Sequence, residues 1–299
     1  MRLLVTGASG WIGAAAVSEL IAAGHQVLGL ARSENAANAV GKLGARAVRG
    51  SLDDPDSLRA AASGVDGVVH LAYNHDFSQI AAAAQTDRAA IDAFADVLAG
   101  SGGPLLIASG TLGLAPGRIG TEDDMPNPAV HPRVGNAAHA LALAARGIRP
   151  LVVRFAPTVH GVGGDHGFVA VLARIAREKG VAAYVGEGAN RWPAVHRQDA
   201  AKLVSLAVEK ASPGVLHSVA EEAIAARDIA TALGEFLDVP TASISTEQAA
   251  AHFGWMATFF AADAPASSAK TRASLDWTPR GPTLRADIAA GAYPGLAAG

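Results

Sequence analysis

Apolar and polar positions follow two different rhythms along the first half of the chain. Short apolar runs occur at Arg2–Thr6, Gln26–Leu30, Ala45–Arg49, Gly67–Leu71, Pro104–Ala108 and Pro150–Arg154. Between them, alanine-rich segments such as Ile12–Ala23 repeat apolar residues at helical spacing. Short apolar strands that alternate with helices indicate βαβ units and a parallel sheet covered on both faces. The pattern therefore predicts an α/β fold with a doubly wound parallel sheet.

Composition and charge narrow the classes of protein. With 50% hydrophobic and 17% charged residues, the chain is not disordered. Its net charge of −3 offers no basic field for nucleic acid or an anionic membrane surface, and the absence of cysteine excludes disulfides and cysteine-ligated zinc. A long uncharged run, Gly100–Gly117, is interrupted by prolines and glycines and cannot span a membrane. We expect a cytoplasmic protein with a small-molecule substrate and with neither nucleic acid nor a membrane as partner.

A glycine-rich loop follows the first strand and opens the first helix. It reads Thr6-Gly7-Ala8-Ser9-Gly10-Trp11-Ile12-Gly13. In this context the first glycine permits the turn, the second lets the backbone approach a pyrophosphate, and the third allows close packing of helix and strand. The helix N-terminus offers N–H groups and partial positive charge to the phosphates. We therefore expect a Rossmann-type dinucleotide site whose binding residues are Gly7, Ser9, Gly10, Trp11, Ile12 and Gly13.

The end of the second strand bears on the choice between NAD and NADP. An acidic residue there would bind the ribose 2′-hydroxyl of NAD. The chain instead reads Leu30-Ala31-Arg32-Ser33. A guanidinium can bind a 2′-phosphate with two hydrogen bonds, so Arg32 and Ser33 favour NADP(H). Glu34 lies close enough to compete, and NAD stays an alternative.

The alternation of strands and helices ends after Phe155, and helices and loops dominate from Ile224 onward. We therefore divide the chain into two parts. The parts are a dinucleotide-binding Rossmann domain over residues 1–155, to which 193–220 return, and a smaller, mostly C-terminal substrate-binding lobe over 156–192 and 221–299.

Several blocks of sequence resemble the short-chain dehydrogenase/reductase superfamily, on its extended, epimerase/dehydratase-like side. They are the glycine loop at 6–13, GSLDDPDSL at 50–58, VVHLAY at 68–73, LLIASGT at 105–111, LVVRFAPTVHG at 151–161 and VGEGANRWPAVHRQDAA at 185–201. The blocks cover most of residues 1–220, in the order and at the spacing of the superfamily. The resemblance implies an NAD(P)-dependent enzyme, for which a homodimer is plausible.

The resemblance also implies which residues contact the cofactor along its length. The adenine would contact Ser51, Leu52 and Asp53. The path to the nicotinamide would be lined by Leu71, Ala72 and Tyr73. The nicotinamide would lie beside Ser109, Gly110 and Thr111 at the end of the fifth strand. Its carboxamide would be held by Ala156, Thr158 and Val159.

The catalytic part of the pattern departs from the superfamily. Its members carry Tyr-x-x-x-Lys on the helix after the fifth strand, where the lysine lowers the pKa of a proton-exchanging tyrosine. Ala129 and Arg133 stand at those two positions here. Arg133 can bind the nicotinamide ribose or stabilise an oxyanion, but it is a poor general acid. Ser109 and Thr111 can polarise a carbonyl. His131, which titrates near neutrality, is either the proton donor or a loop histidine without a role.

Polar and aromatic side chains are placed to line a substrate pocket. The candidates are Asn74, His75, His160, His166 and Trp192. Because the histidines lack the spacing of metal ligands, we expect a polar pocket and no metal. Trp255, Phe259 and Phe260 are expected to form the core of the lobe, or in addition a wall of the pocket.

Together these features favour an NADP(H)-dependent oxidoreductase that reduces a carbonyl or imine of a small or medium organic substrate. One alternative is a nucleotide-sugar epimerase or dehydratase with tightly bound NAD(P), although the missing tyrosine weakens it. The other is a non-catalytic NADP(H)-sensing protein whose lobe binds a partner.

Overall fold

The computed structural model describes residues 1–74, 79–126 and 132–293. The strands are β1 (Arg2–Thr6), β2 (Gln26–Ala31), β3 (Arg46–Arg49), β4 (Gly67–His70), β5 (Pro104–Gly110), β6 (Arg149–Phe155), β7 (Thr158–His160), β8 (Ala182–Val185), β9 (Arg191–His196), β10 (Gly214–Ser218), β11 (Glu221–Ala225) and β12 (Thr241–Ile244). The helices are α1 (Trp11–Ala22), α2 (Glu34–Lys42), α3 (Pro55–Ala62), α4 (Ile80–Leu98), α5 (Pro132–Ala142), α6 (Phe168–Lys179), α7 (Arg197–Lys210), α8 (Ala226–Leu237), α9 (Thr246–Phe253), α10 (Met256–Phe260), α11 (Ala269–Leu275) and α12 (Leu284–Ala289).

Seven strands form the central sheet, in the order β10-β6-β5-β4-β1-β2-β3. All neighbouring pairs in this sheet are parallel, which confirms the α/β fold with a doubly wound sheet. The chain moves outward from β1 to β3 and then returns to the other side of β1 with β4. Ligands of such sheets bind outside the carboxyl ends of the strands where the order reverses, which here is between β1 and β4.

Side chains that alternate along the strands build an apolar cluster on each face of the sheet. In β1, Leu3 and Val5 join the cluster that contains α1 and α7, whereas Leu4 joins the opposite cluster with α4. Alanines such as Ala16 and Ala207 line the buried sides of α1 and α7 and let these helices lie close to the sheet. No helix in the described residues is long and apolar enough to cross a membrane.

A second body of structure covers the carboxyl end of the sheet. The strands β7, β9 and β11 form a three-stranded sheet, and β8 pairs with β12. Helices α6, α8, α9, α10 and α12 enclose an apolar cluster around Trp192 and Phe260. Within the range assigned to the lobe, Ala266, Leu275 and Trp277 pack into the cluster of the central sheet instead. The last third of the chain therefore supports both parts, and the division into 1–155 with 193–220 and 156–192 with 221–299 stays a prediction.

Candidate active site

The glycine loop between β1 and α1 is closed by its own backbone. Gly7 adopts a φ of 65°, and the Gly10 N–H donates to the Gly7 carbonyl at 2.9 Å. A Cβ at Gly13 would lie 1.9 Å from that same carbonyl oxygen, so only glycine fits there. Ser9 is exposed, and Ile12 packs against the sheet. Among the described residues no side chain caps the start of α1, so its first-turn N–H groups suit phosphate oxygens.

A buried hydrogen-bond network joins the start of this loop to helices α4 and α5. Thr6 Oγ1 bonds His70 Nδ1 at 2.7 Å, and His70 Nε2 bonds Asp87 Oδ1 at 3.2 Å. Asn136 Nδ2 donates to the second oxygen of Asp87 at 2.7 Å. Burial alone would raise the pKa of Asp87, but the hydrogen bonds from His70 and Asn136 help to hold it below the ordinary value. The network fixes β1, β4, α4 and α5 relative to one another.

Sequence reasoning did not assign His70, Asp87 or Asn136 to a shared network. A signal was present, because each is a polar residue within an apolar strand or on the buried face of an alanine-rich helix. Buried polar groups need partners, so three such residues predict a network although not its connections.

Arg133 lies at the carboxyl end of β5. Its Nη2 donates to the carbonyl of Ala108 at 3.1 Å, and its guanidinium carbon lies 3.8 Å from the centroid of the Tyr73 ring. Burial lowers the pKa of Arg133 although Asp87 opposes this, and the guanidinium stays charged. Burial raises the pKa of the Tyr73 phenol, whereas the charge of Arg133 lowers it. Asn136, one turn further along α5, anchors the helix that carries this cation.

Buried hydroxyl groups lie at three neighbouring strand ends. Ser109 and Gly110 complete β5, and Thr111 follows them with only 1% of its surface exposed. The hydroxyls of Thr111, Thr158 and Ser218 have no hydrogen-bond partner in the described part of the chain. Thr111 directly follows β5, Ser218 ends β10, and Thr158 opens β7 three residues after the end of β6; β5, β6 and β10 are adjacent in the sheet. Because nearly all buried hydroxyls are bonded, this edge suits a polar ligand such as a nicotinamide carboxamide.

Trp11 ties the glycine loop to the segment that follows β6. Its indole Nε1 donates to the carbonyl of Val159 at 2.7 Å, so that carbonyl is already bonded within the protein. The guanidinium of Arg197 lies 4.0 Å from the centroid of the Trp11 ring. Ala156 is held by a hydrogen bond from its N–H to the carbonyl of Ser218 at 3.1 Å. Sequence reasoning missed Arg197, because 186 positions separate it from Trp11 in the chain.

The adenosine end of the expected site carries two arginines. Arg32 is exposed at the end of β2, and the Ser33 hydroxyl caps α2 by accepting from Ala36 N–H at 3.2 Å. Glu34, the acidic rival for the ribose, pairs with Arg49 Nη2 at 3.1 Å. Sequence reasoning missed Arg49, which the register of β2 with β3 places beside Ala31 and so next to Arg32.

The other predicted cofactor residues border the same edge of the sheet. Ser51 Oγ donates to Asp53 Oδ2 at 3.3 Å, so these two residues form a local turn. Leu52 and Leu71 are half-buried against the two faces of the sheet. The N–H of Ala72 donates to the Thr6 hydroxyl at 3.1 Å and thus joins the end of β4 to the network.

Two residues predicted for the substrate pocket lie inside the lobe. His160 is fully buried, and its Nδ1 bonds Asp287 Oδ2 at 2.6 Å. Trp192 is equally buried, and its Nε1 donates to the carbonyl of Ala262 at 3.2 Å. Both side chains are held by the C-terminal segment, and their place in the substrate pocket stays a prediction.

The remaining pocket candidates differ in their surroundings. His166 is exposed, and its Nδ1 lies 3.3 Å from the carbonyl of Gly164. Asn74 is exposed, four residues after the end of β4. His75 and His131 lie outside the described residues. Within the described ranges, no three histidine or carboxylate side chains are grouped as they would be around a metal ion.

The glycine loop, the reversal of strand order and the polar strand ends define a dinucleotide-binding α/β protein of the Rossmann type. The model of the NAD dependent epimerase/dehydratase family matches residues 3–218. The chain belongs to this family. Its residues at the strand ends fit a bound NAD(P), because the glycine loop leaves N–H groups for phosphates and the buried hydroxyls lack partners within the described ranges.

Individual relatives cover the chain to different extents. Uncharacterized protein C2A9.02 of Schizosaccharomyces pombe is 44% identical over 296 residues, which cover 98% of this chain and 100% of the relative. The 4-hydroxy-2-methyl-3-oxo-4-farnesyl-3,4-dihydroquinoline-1-oxide ketoreductase of Stigmatella aurantiaca is 42% identical over 72 residues, or 24% of this chain and 22% of its own. The UDP-glucose 4-epimerase of Thermus thermophilus, solved in complex with NAD, superposes with a TM-score of 0.78 at 19% identity, covering 99% of this chain and 100% of that one. The last similarity shows the shared fold.

Proposed function

We propose that the protein is an NADP(H)-dependent oxidoreductase that reduces a carbonyl or imine of a small or medium organic substrate. The observation that carries this proposal is the position of Arg133. Its guanidinium donates to the carbonyl of Ala108 near the end of β5, and Thr111, three residues further along the chain, carries a buried hydroxyl. A fixed cation and a hydroxyl without a partner in the described part of the chain can together stabilise a developing negative charge on oxygen. The local similarity to a ketoreductase supports the same direction of chemistry.

The preference for NADP(H) is supported by the charges at the end of β2. Arg32 is exposed, and Arg49 pairs with Glu34. The carboxylate that could have bound a ribose 2′-hydroxyl is therefore neutralised by a neighbouring cation. A 2′-phosphate carries the negative charge that two adjacent guanidinium groups recognise.

Different residues of the site have different roles in the proposed reduction. A bound nicotinamide would supply a hydride to the carbonyl carbon. As the π electrons of the carbonyl move onto its oxygen, Arg133 and Thr111 stabilise the negative charge, and Asn136 holds the helix that carries Arg133. We assign the proton that converts the alkoxide into an alcohol to His131, two residues before Arg133. Arg133 itself keeps its protons.

The test follows NADPH oxidation with a panel of aldehydes, ketones and imines. Arg133→Ala should lower kcat by about 100-fold, as does removal of an oxyanion donor in other enzymes, and Arg133→Lys should recover part of it. His131→Ala should lower kcat most at acidic pH, where the wild-type imidazole carries the proton that it donates, and the difference should shrink as the pH rises. Unchanged turnover in both alanine variants would overturn the residue roles.

Two other results would select a rival function. A nucleotide sugar that co-purifies with the protein and is turned over without added NADPH would identify an epimerase or dehydratase. Tight NADPH binding without turnover of any carbonyl, imine or nucleotide sugar would identify a sensing protein.

A further inference from the structure

Arg197 lies against the glycine loop, although it follows the lobe strand β9 in the chain. Its guanidinium carbon lies 4.0 Å from the centroid of the Trp11 ring, and Trp11 is the first residue of α1. The indole is itself fixed, because its Nε1 donates to the carbonyl of Val159 at 2.7 Å. The fixed ring therefore holds the guanidinium of Arg197 one side chain away from the first N–H groups of α1.

The register of the lobe strands brings Arg197 to this position. Strands β7 and β9 are parallel, and His160 is paired with His196. Arg197 follows His196 directly and is the first residue of α7. A Cβ built on Gly161, the residue after His160, would lie 3.6 Å from the Cβ of Arg197 and 3.4 Å from Cζ2 of Trp11. The ends of β7 and β9 therefore meet the glycine loop at one point.

The positive charge of Arg197 is not committed to a carboxylate in the described part of the chain, where no acidic group lies within ion-pair distance of its guanidinium. The nearest carboxylate along the sequence, that of Asp199, accepts instead from the N–H groups of Arg280 and Gly281 at 2.9 and 2.8 Å. Lys202, five residues further along α7, differs in this respect, because its Nζ lies 2.8 Å from an oxygen of Glu19 in α1.

The surroundings of this charge favour an anion. A cation in the first turn of a helix is repelled by the partial positive charge of the helix N-terminus, and Arg197 stands in the first turn of α7. The side chain is half-buried, so water screens this repulsion only in part. The contact with the Trp11 ring favours the cation but does not neutralise it. An anion at the start of α1 would interact favourably with both helix N-termini and with the guanidinium.

We propose that Arg197 binds the pyrophosphate of the cofactor, together with the N–H groups of the glycine loop. A guanidinium held beside these groups can donate two parallel hydrogen bonds to phosphate oxygens. The contact differs from that proposed for Arg32 and Arg49, which recognise the 2′-phosphate present only in NADP(H). Because NADP(H) and NAD(H) share the pyrophosphate, Arg197 raises the affinity for both and does not select between them. This inference rests on the proposed function for the identity of the cofactor and adds a residue to its site.

The test measures the dissociation constants of NADPH, NADH and adenosine 2′-monophosphate by calorimetric titration. Arg197→Gln should weaken the binding of NADPH and NADH by the same factor, about tenfold, because each loses one charge-assisted contact. Adenosine 2′-monophosphate carries the 2′-phosphate but no pyrophosphate, so its affinity should stay at the wild-type value. Arg197→Lys keeps the charge but loses the planar group that stacks on Trp11, and should recover part of the affinity.

Lys202→Gln is the matched control. It removes a cation of the same helix whose charge is paired with Glu19, and it should leave all three dissociation constants unchanged. Salt separates a direct contact with phosphate from an indirect effect on the loop. Because salt screens a partly exposed charge contact, the ratio of the Arg197→Gln to the wild-type constant for NADPH should fall toward one between about 50 mM and about 500 mM KCl.

Unchanged affinity for NADPH and NADH in Arg197→Gln, an equal loss for adenosine 2′-monophosphate, or a ratio that does not depend on salt would overturn the assignment of Arg197. If Arg197→Gln does not fold, Arg197→Lys is measured against the same three ligands, and wild-type constants for all of them would overturn the assignment. Reduction of a carbonyl or imine with unchanged affinities leaves the reductase function standing. Binding of both cofactors that depends on Arg197, without reduction of any substrate, would retain the assignment and overturn the function.

Discussion

The two halves of the carboxyl edge of the sheet satisfy their polar groups in opposite ways. At β1 and β4, the Thr6 hydroxyl, His70 and Asp87 are buried and bonded to one another. At β5, β6 and β10, buried hydroxyls such as that of Thr111 have no partner among the residues that the structure describes. The first half thus fixes its polar side chains through bonds within the protein, whereas in the proposed function the second half offers its buried hydroxyls to the nicotinamide and the substrate.

The most damaging change should be in the first of these halves. In Gly13→Ala the new Cβ would lie 1.9 Å from the Gly7 carbonyl, so the glycine loop must move. Because a displacement of about 1 Å can cost 100-fold in a positioned site, we expect NADPH affinity to fall by about that factor. Calorimetric titration measures it. Gly41→Ala is the matched control, since its Cβ would meet no atom within 4 Å. Normal NADPH affinity in Gly13→Ala would contradict a preformed loop.

A smaller effect is expected at the exposed margin of the same half. Arg32→Asp should weaken NADPH binding by about 10- to 100-fold, the value of a charge-assisted hydrogen bond, and leave NADH binding equal or better. Arg49→Gln should release Glu34 and shift the preference in the same direction, but less. Dissociation constants for both cofactors test this. A uniform loss for NADPH and NADH would show that Arg32 does not read the 2′-phosphate.

Substitutions of two threonines test most directly whether the two halves of the sheet edge differ. Thr6→Val removes a bonded hydroxyl and should destabilise the protein by about 1–3 kcal/mol, because His70 loses its partner. Thr111→Val removes a buried hydroxyl without a partner in the described ranges, so stability should be unchanged or higher while kcat falls. Denaturant unfolding and NADPH oxidation measure the two effects. Equal destabilisation by both changes would mean that the two halves do not differ.

The smallest effect concerns pH. The folded-state pKa of Asp87 lies below its ordinary value, so the unfolded chain binds more protons on acidification. The stabilisation by Asp87 is complete above about pH 4 and is lost as the pH falls through the lower folded-state pKa. Asp87→Asn should therefore be less stable than wild type at neutral pH and should lose less stability between about pH 4 and pH 2. Parallel unfolding curves for both proteins across that range would contradict the role of the carboxylate.

Features that depend on neighbours in the chain could be predicted from the sequence, whereas bonds between distant residues could not. Strands β1 and β2 and the glycine loop depend on neighbours in the chain, and they could be predicted. The bond from Trp11 to Val159 and that from His160 to Asp287 join residues more than a hundred positions apart. Hydrophobic periodicity carries no information about such pairs. For this reason the sequence does not reveal that His160 is bonded to Asp287.

Aromatic residues also show what hydrophobic periodicity cannot predict. Periodicity groups Trp255, Phe259 and Phe260 without separating them. The structure buries Phe260 and exposes Trp255, because the residues on either side of a turn face different surroundings. Whether an aromatic ring is buried in the core or reaches the surface depends on how α6 and α10 pack against each other, which the sequence pattern does not show.

The path of the C-terminal segment limits which parts of this protein could be replaced by the corresponding parts of a relative. Ala266 and Trp277 pack under the sheet, and the chain then returns to bond His160 through Asp287 and Asp165 through Tyr293. The lobe is therefore not a separate unit that a single truncation could remove. Substitutions in the lobe therefore have to leave these contacts with the sheet and with His160 and Asp165 intact.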